Sequence, residues 1–287
     1  MKITTVNFKA TLNSEDNIGS IKKILLKHAK SDLVVFPEAC VQGYMPFLEQ
    51  ESIKYYLESA INLTNTTSIR FLQEIKAIAA KNNQVIVLGA IERDDSLGYG
   101  QMFDSAYIIL PDKTHYVYRK THLATNEPYF LFPGNSLEVF QTPVGKIGVL
   151  ICYDKCFSEA AKTLALKGAE IIIIISAWAY TDVHQNNDQK INDQSKNIFD
   201  IYDQVRAVEN QCLVVVSNQV GVNQNKSLEF LGSSKIIAPS GKILGQIDDK
   251  LGELTIEVDL VASLIEERVL NLNALNIIKN RRPDIYQ

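Results

Sequence analysis

The chain has 287 residues, is 46% apolar and carries a formal net charge of −4 with no basic cluster, enough to bury one large core and unsuited to a phosphate backbone or an acidic membrane surface. Neither nucleic acid nor a membrane is therefore an expected partner, and even the apolar run Ile171–Ile175 is far too short to span a bilayer. The four cysteines, Cys40, Cys152, Cys156 and Cys212, have neither the density of a disulfide scaffold nor the paired spacing of a zinc site, so reduced thiols and no metal are expected.

Met1 leads directly into Lys2–Phe8, which alternates like a strand and lacks the cationic start and apolar core of a signal peptide; a cytoplasmic location is expected. Ile18, Ile21, Ile24 and Leu25 then recur at helical spacing within Asn17–Lys30. Ser31-Asp32 turns into a short buried strand, Leu33–Phe36, closed by Pro37-Glu38. A carboxylate directly after such a strand emerges at the sheet edge, although Glu38 reads equally well as a helix cap or surface glutamate. Gly43–Pro46 reads as a turn, Glu49–Lys81 as one or two helices, and Val85–Ala90 as another buried strand. Phe103–Leu110 and Thr114–Arg119 form a hairpin about Pro111-Asp112-Lys113, which leaves Lys120 at its far end. Lys120–Gly134, holding His122, Glu127, Tyr129, Phe130 and Phe132, is a loop long enough to be functional.

The run Gly145–Ile151 predicts a buried strand and Ser158–Gly168 a helix that Ser158 can cap. Cys152 sits where the strand stops. A thiol there meets the N–H groups at the start of the next helix, which favour thiolate over thiol, although buried packing is the commoner use of cysteine. Ile171–Ile175 is a strand ending in Ser176-Ala177-Trp178, and Trp178 is open to reading as packing or as a substrate contact. Thr181–Lys196 reads as an exposed polar loop and Phe199–Asn210 as a helix with Ile201, Val205 and Val208 on one side. Cys212–Asn218 is a strand, Ser233–Ala238 and Lys242–Leu244 a hairpin, Gly252–Leu260 a last strand, and Val261–Gln287 a helix and tail. With no repeat, low-complexity stretch or linker, a single domain over residues 1–287 is expected, in a layered α/β architecture whose mixed sheet is covered on both faces.

Glu38, Lys120 and Cys152 each follow an apolar strand and can meet at one sheet edge, where ligands gather in α/β folds. Their chemistry is mutually coherent. Cys152 can attack an electrophilic carbon, Glu38 can take the thiol proton and later activate water, and Lys120 can stabilise charge on a tetrahedral intermediate.

Phe36-Pro37-Glu38 with Gly43-Tyr44, Tyr118–Leu123, and Gly148–Asp154 together resemble the three motif regions of the nitrilase superfamily, the carbon-nitrogen hydrolases. The likeness continues in order through Glu127, Phe130 and Pro133-Gly134, Arg206–Asn210, Asn218–Gly221, Gly232–Ser234 and Arg281–Tyr286. This resemblance implies a four-layer αββα sandwich, a Glu38-Lys120-Cys152 triad, and Glu127 as a second glutamate that positions the lysine or the substrate. It also implies a thioester intermediate, no cofactor, and even-numbered homo-oligomers paired through sheet-covering helices, in which residues 261–287 take part. The Cys152-Tyr153-Asp154 context in so short a chain is similar to amidase-like branches, so hydrolysis of a small linear amide is expected first. An N-carbamoyl substrate is the alternative, followed by a nitrile, acyl transfer from the same thioester, or an inactive scaffold. Tyr44, Tyr153 and Trp178 are candidates to line the acyl pocket, His122 reads as a structural hydrogen-bonding residue, and Cys156 as a free thiol.

Overall fold

The computed structural model describes residues 1–45, 50–62, 65–96, 98, 100–180, 189–223, 228–270 and 276–286. In the first half, β1 (Lys2–Asn7), α1 (Ser14–Lys27), β2 (Leu33–Val35), α2 (Gln50–Ser59), α3 (Thr66–Asn82), β3 (Val85–Arg93), β4 (Met102–Ile109) and β5 (His115–Arg119) follow one another. The second half runs β6 (Val139–Thr142), β7 (Gly145–Ile151), α4 (Ser158–Leu166), β8 (Ile171–Ser176), α5 (Gln189–Val208) and β9 (Leu213–Asn218). After these come β10 (Val220–Val222), β11 (Glu229–Leu231), β12 (Lys235–Ile237), β13 (Ile243–Gln246), β14 (Gly252–Glu257) and α6 (Leu260–Ile265).

Twelve of these strands form two mixed sheets, ordered β14-β1-β2-β3-β4-β5 and β13-β12-β9-β8-β7-β6, and β10 pairs with β11 in a separate two-stranded ladder. The side-chain period of two sorts each central strand between two cores. Ile171, Ile173 and Ile175 of β8 join Leu33, Val35, Val85 and Val87 in the core between the sheets. Ile172 and Ile174 turn the other way, onto Leu164 and Phe199 of the helices beneath the second sheet. On the far face of the first sheet, Val34, Ile86 and Leu88 pack against Ile21, Leu25, Phe71 and Ile75 of α1 and α3. This double burial explains the continuous apolar runs, and it yields the expected four layers, helix on sheet on sheet on helix.

Helix ends follow local chemistry. Asn13 caps α1 through the Glu15 and Asp16 amides, and Asn65 caps α3, which stops at Asn83 in a left-handed conformation.

Several boundaries move. The polar stretch expected as a loop contributes its last part to α5, which starts at Gln189, while 181–188 lie outside the described residues. A polar helix start offers no apolar stripe to read. The last strand stops at Glu257, because Asp259 caps a new helix at Leu260 by accepting from the Ala262 amide. Pro46, the end of the expected turn, is also outside the described residues. No described helix is long and apolar enough to cross a membrane.

Candidate active site

Glu38 leaves β2 through a turn in which Ala39 adopts a φ of 48°. β3 can lie against that turn because residue 89 is glycine: a Cβ there would come within 2.5 Å of the Pro37 carbonyl oxygen and 2.6 Å of Glu38 Cα. The Glu38 carboxylate is fully buried. Its Oε1 accepts from Lys120 Nζ at 2.6 Å, its Oε2 accepts from the Ala177 amide just past β8, and its carbonyl accepts from Gln219 Nε2 at 2.8 Å. Glu38 is thus tied to both sheets.

Lys120 sits at the end of β5, where its amide donates to Asp104 O at 2.8 Å and its carbonyl accepts from Gly134 at 2.7 Å. Its ammonium is sealed from solvent and also donates to Glu127 Oε1 at 2.7 Å, with Asp104 Oδ2 at 3.4 Å. Glu127 Oε1 accepts from the Tyr44 hydroxyl at 2.7 Å, and its Oε2 from the Ala124 amide at 2.7 Å. Burial alone would lower the Lys120 pKa, but the charges of Glu38 and Glu127 above all outweigh it and hold the ammonium well above the ordinary lysine value. The oxygens of Glu38, Asp104 and Glu127 converge within 4.8 Å of one another. Such a donor set could bind a cation, and the Lys120 ammonium is the cation within hydrogen-bonding distance of all three.

Cys152 begins a tight turn, Cys152–Cys156, after β7, with a strained φ of 48°. Asp154 clamps this turn. It accepts from the Ile151 and His122 amides at 2.9 and 2.8 Å, from Thr121 Oγ1 at 2.8 Å and from the Tyr118 hydroxyl at 2.7 Å, while His122 Nδ1 lies 2.8 Å away. Burial opposes ionisation of Asp154, but these hydrogen bonds prevail and hold its carboxyl below the usual range. Because β5 and β7 belong to different sheets, the clamp brings the Lys120 segment to Cys152.

The thiolate expectation is corrected by the surroundings of Cys152. Burial, followed by the charge of Glu38, pushes its thiol well above the ordinary value, against the smaller pull of Lys120 and Lys155. The thiol therefore keeps its proton near neutral pH. Nor does Ser158 cap the following helix: Phe157 holds the cap position without a side-chain bond, and Ser158 Oγ reaches Glu159 at 3.1 Å.

Of the proposed pocket residues, Tyr44 joins the cluster through Glu127. Trp178 packs against Phe199 and Tyr202, with its amide on Asn218 Oδ1 at 2.8 Å. Tyr153 is 39% exposed and sets its ring against the edge of Phe157. His122 has the structural role expected, bonded to Asp154 and stacked on Phe157. Behind the Cys152 turn, Lys155 bonds Asp203 at 2.7 Å and lies over Phe199, while Lys235 pairs with Asp200 and Asp203, so these charges balance. Sequence reading assigned no role to Asp104, to Asp154 or to this quartet, of which Lys155, Asp203 and Lys235 are buried and Asp200 half-buried; a charged residue inside an otherwise apolar strand, such as Asp104 in β4, was the available signal. An open depression of about 700 Å³ lined by Met1, Asp32, Glu170 and Glu257 lies at the opposite ends of the strands and holds none of the cluster.

The structure thus gathers a buried thiol, carboxylates and an ammonium at the carboxyl ends of β2, β5 and β7 of a four-layer sandwich, and comparison with known proteins gives the class: enzymes that act on carbon-nitrogen bonds. Residues 3–268 match the carbon-nitrogen hydrolase family, and the chain belongs to it. It is similar to a nitrilase of Pyrococcus abyssi, 30% identical over 281 residues that cover 96% of this chain and 94% of the relative. It is also similar to an N-carbamoylputrescine amidase of Arabidopsis thaliana, 26% identical over 298 residues covering 99% and 93% of the two chains. The crystal structure of a carbon-nitrogen hydrolase from Helicobacter pylori G27 superposes with a TM-score of 0.86 at 25% identity, covering 100% of this chain and 97% of that one.

Proposed function

We propose that this enzyme hydrolyses a small linear amide through a thioester on Cys152. The observation that carries the reading is the sealed Lys120 ammonium, bonded at 2.6 and 2.7 Å to Glu38 and Glu127 within electrostatic reach of a protonated thiol. Glu38 takes the thiol proton as sulfur attacks the carbonyl carbon, and Lys120 stabilises the oxyanion. The proton passes to the departing nitrogen, which leaves as ammonia. Water activated by Glu38 then attacks the thioester and frees the acid and the thiol. Glu127 positions Lys120 from its far side, and Tyr44, Tyr153 and Trp178 border the acyl site.

The test is ammonia release from small amides, ω-amides, N-carbamoyl compounds and nitriles, with Cys152→Ala in parallel. Activity on an amide that the variant loses supports the reading; an alanine variant as active as the parent ends it. The likeness to an N-carbamoylputrescine amidase favours a carbamoyl substrate as the second reading, and stoichiometric release of carbon dioxide would decide for it.

The chain acts as one domain over 1–287, and copies pair as a homodimer or higher even oligomer. Ile198, Ile201, Val205 and Val208 leave an exposed apolar stripe on α5, and Val261 and Ile265 of α6 are likewise exposed, so 261–287 contributes to the same contact.

A further inference from the structure

Three carboxylates share the sealed pocket with one ammonium, so full ionisation would leave two uncompensated negative charges there. Two carboxylates in contact without water do not both ionise readily. Glu38 and Glu127 each accept a short bond from Lys120 and a second from a backbone amide. Asp104 is placed differently. Its Oδ2 is 3.4 Å from Lys120 Nζ, its buried Oδ1 accepts no hydrogen bond, and a carboxyl oxygen of its side chain lies within 4.8 Å of one of Glu38. As an anion it would set an unserved oxygen in a pocket of acceptors. As an acid it has a partner for its proton.

We infer that Asp104 is a neutral carboxylic acid that donates its proton to Glu38, a positioning residue that holds the base in line with Cys152. The inference rests on the reading of Glu38 as the base. Burial first, then the charge of Glu38, pushes the Asp104 carboxyl well above the usual range against the opposing charge of Lys120. The other groups facing the pair are Lys120, Glu127, Cys152, and the hydroxyls of Tyr44 and Tyr56, which burial keeps neutral. The pair Asp104–Glu38 therefore holds one proton at rest. It holds a second when Glu38 takes the proton from the thiol and the sulfur lone pair forms the carbon-sulfur bond, and it returns that proton to the departing nitrogen.

The experiment reads the rate of iodoacetamide alkylation at Cys152, identified by peptide mass, across the acid and neutral range. Asp104→Asn supplies an amide N–H in place of the acid proton and keeps the acid limb where the parent has it. Asp104→Leu has a similar shape and no donor, and its limb moves up by about one pH unit. If Asp104 were an anion, removing its charge would move both limbs down; that result, or an unmoved limb in the leucine variant, overturns the inference. Should the leucine variant not fold, the infrared difference between parent and Asp104→Asn in heavy water decides. A protonated carboxylic acid carbonyl stretch lost in the variant supports the assignment, and its absence overturns it. Failure of the amidase reading is separately visible, since a parent that releases no ammonia can still carry that stretch.

Discussion

Replacing Lys120 by methionine would remove the only cation that the described structure places among Glu38, Glu127 and Asp104 while nearly preserving volume. All four side chains are fully buried, so solvent cannot screen what remains. Breaking a buried ion pair by removing one partner costs about 3–5 kcal/mol, and here two bonded carboxylates lose their donor at once. The upper part of that range is expected near neutral pH. The folded Lys120 titrates above an unfolded lysine, so its contribution is full below about pH 10.4 and is lost only as pH rises through the folded value. Between about pH 8 and about pH 5 the lysine term is therefore constant, and any change in the penalty comes from the carboxyls. Without the ammonium they take up protons more readily, so the penalty shrinks to less than about half at the lower pH. Urea midpoints of parent and variant at the two pH values read this directly. A penalty below about 1 kcal/mol at the higher pH, or one of the same size at both, would show that the cluster is hydrated or otherwise neutralised and would refute the argument.

Gly89→Ala places a Cβ 2.5 Å from the Pro37 carbonyl oxygen; a loss of about 1–3 kcal/mol is expected in thermal unfolding, with ammonia release down about 100-fold as Glu38 is displaced. Asp154→Asn weakens the clamp between Thr121, His122 and the Cys152 turn. Because the folded Asp154 carboxyl titrates below its unfolded value, its contribution is present above about pH 3.9 and lost as pH falls through the folded value. Loss of the charge-assisted hydrogen bonds makes the variant about 1–3 kcal/mol less stable at neutral pH, and the two converge in acid, as urea midpoints would record. Ile201→Asp puts a charge into the α5 stripe, where Ile201 is 49% exposed; light scattering should find half the parent's mass, and an unchanged mass would place the subunit contact elsewhere.

The main layers were legible because strands buried on both faces leave continuous apolar runs, as Ile171–Ile175 does, and those runs locate the ends at which Glu38, Lys120 and Cys152 emerge. Glu127 was readable only by resemblance, since nothing in its local spacing separates it from a surface glutamate. Element boundaries were harder: the polar start of α5 has no stripe to detect, and the caps at Phe157 and Asp259 depend on where the backbone turns.

By itself the sequence determined the layered α/β class and the three strand-end groups, because burial patterns and strand termini are local properties of the chain. Only the tertiary structure decided which charges surround them. Asp104 is one aspartate in an apolar strand until β4 and β5 pair and the turn after β2 closes over it. Cys152 looks like a thiolate at a helix start until two sheets enclose it beside Glu38. Proton affinity in a dry pocket is set by which charges meet there, and those meetings join residues as far apart in the chain as Glu38 and Ala177.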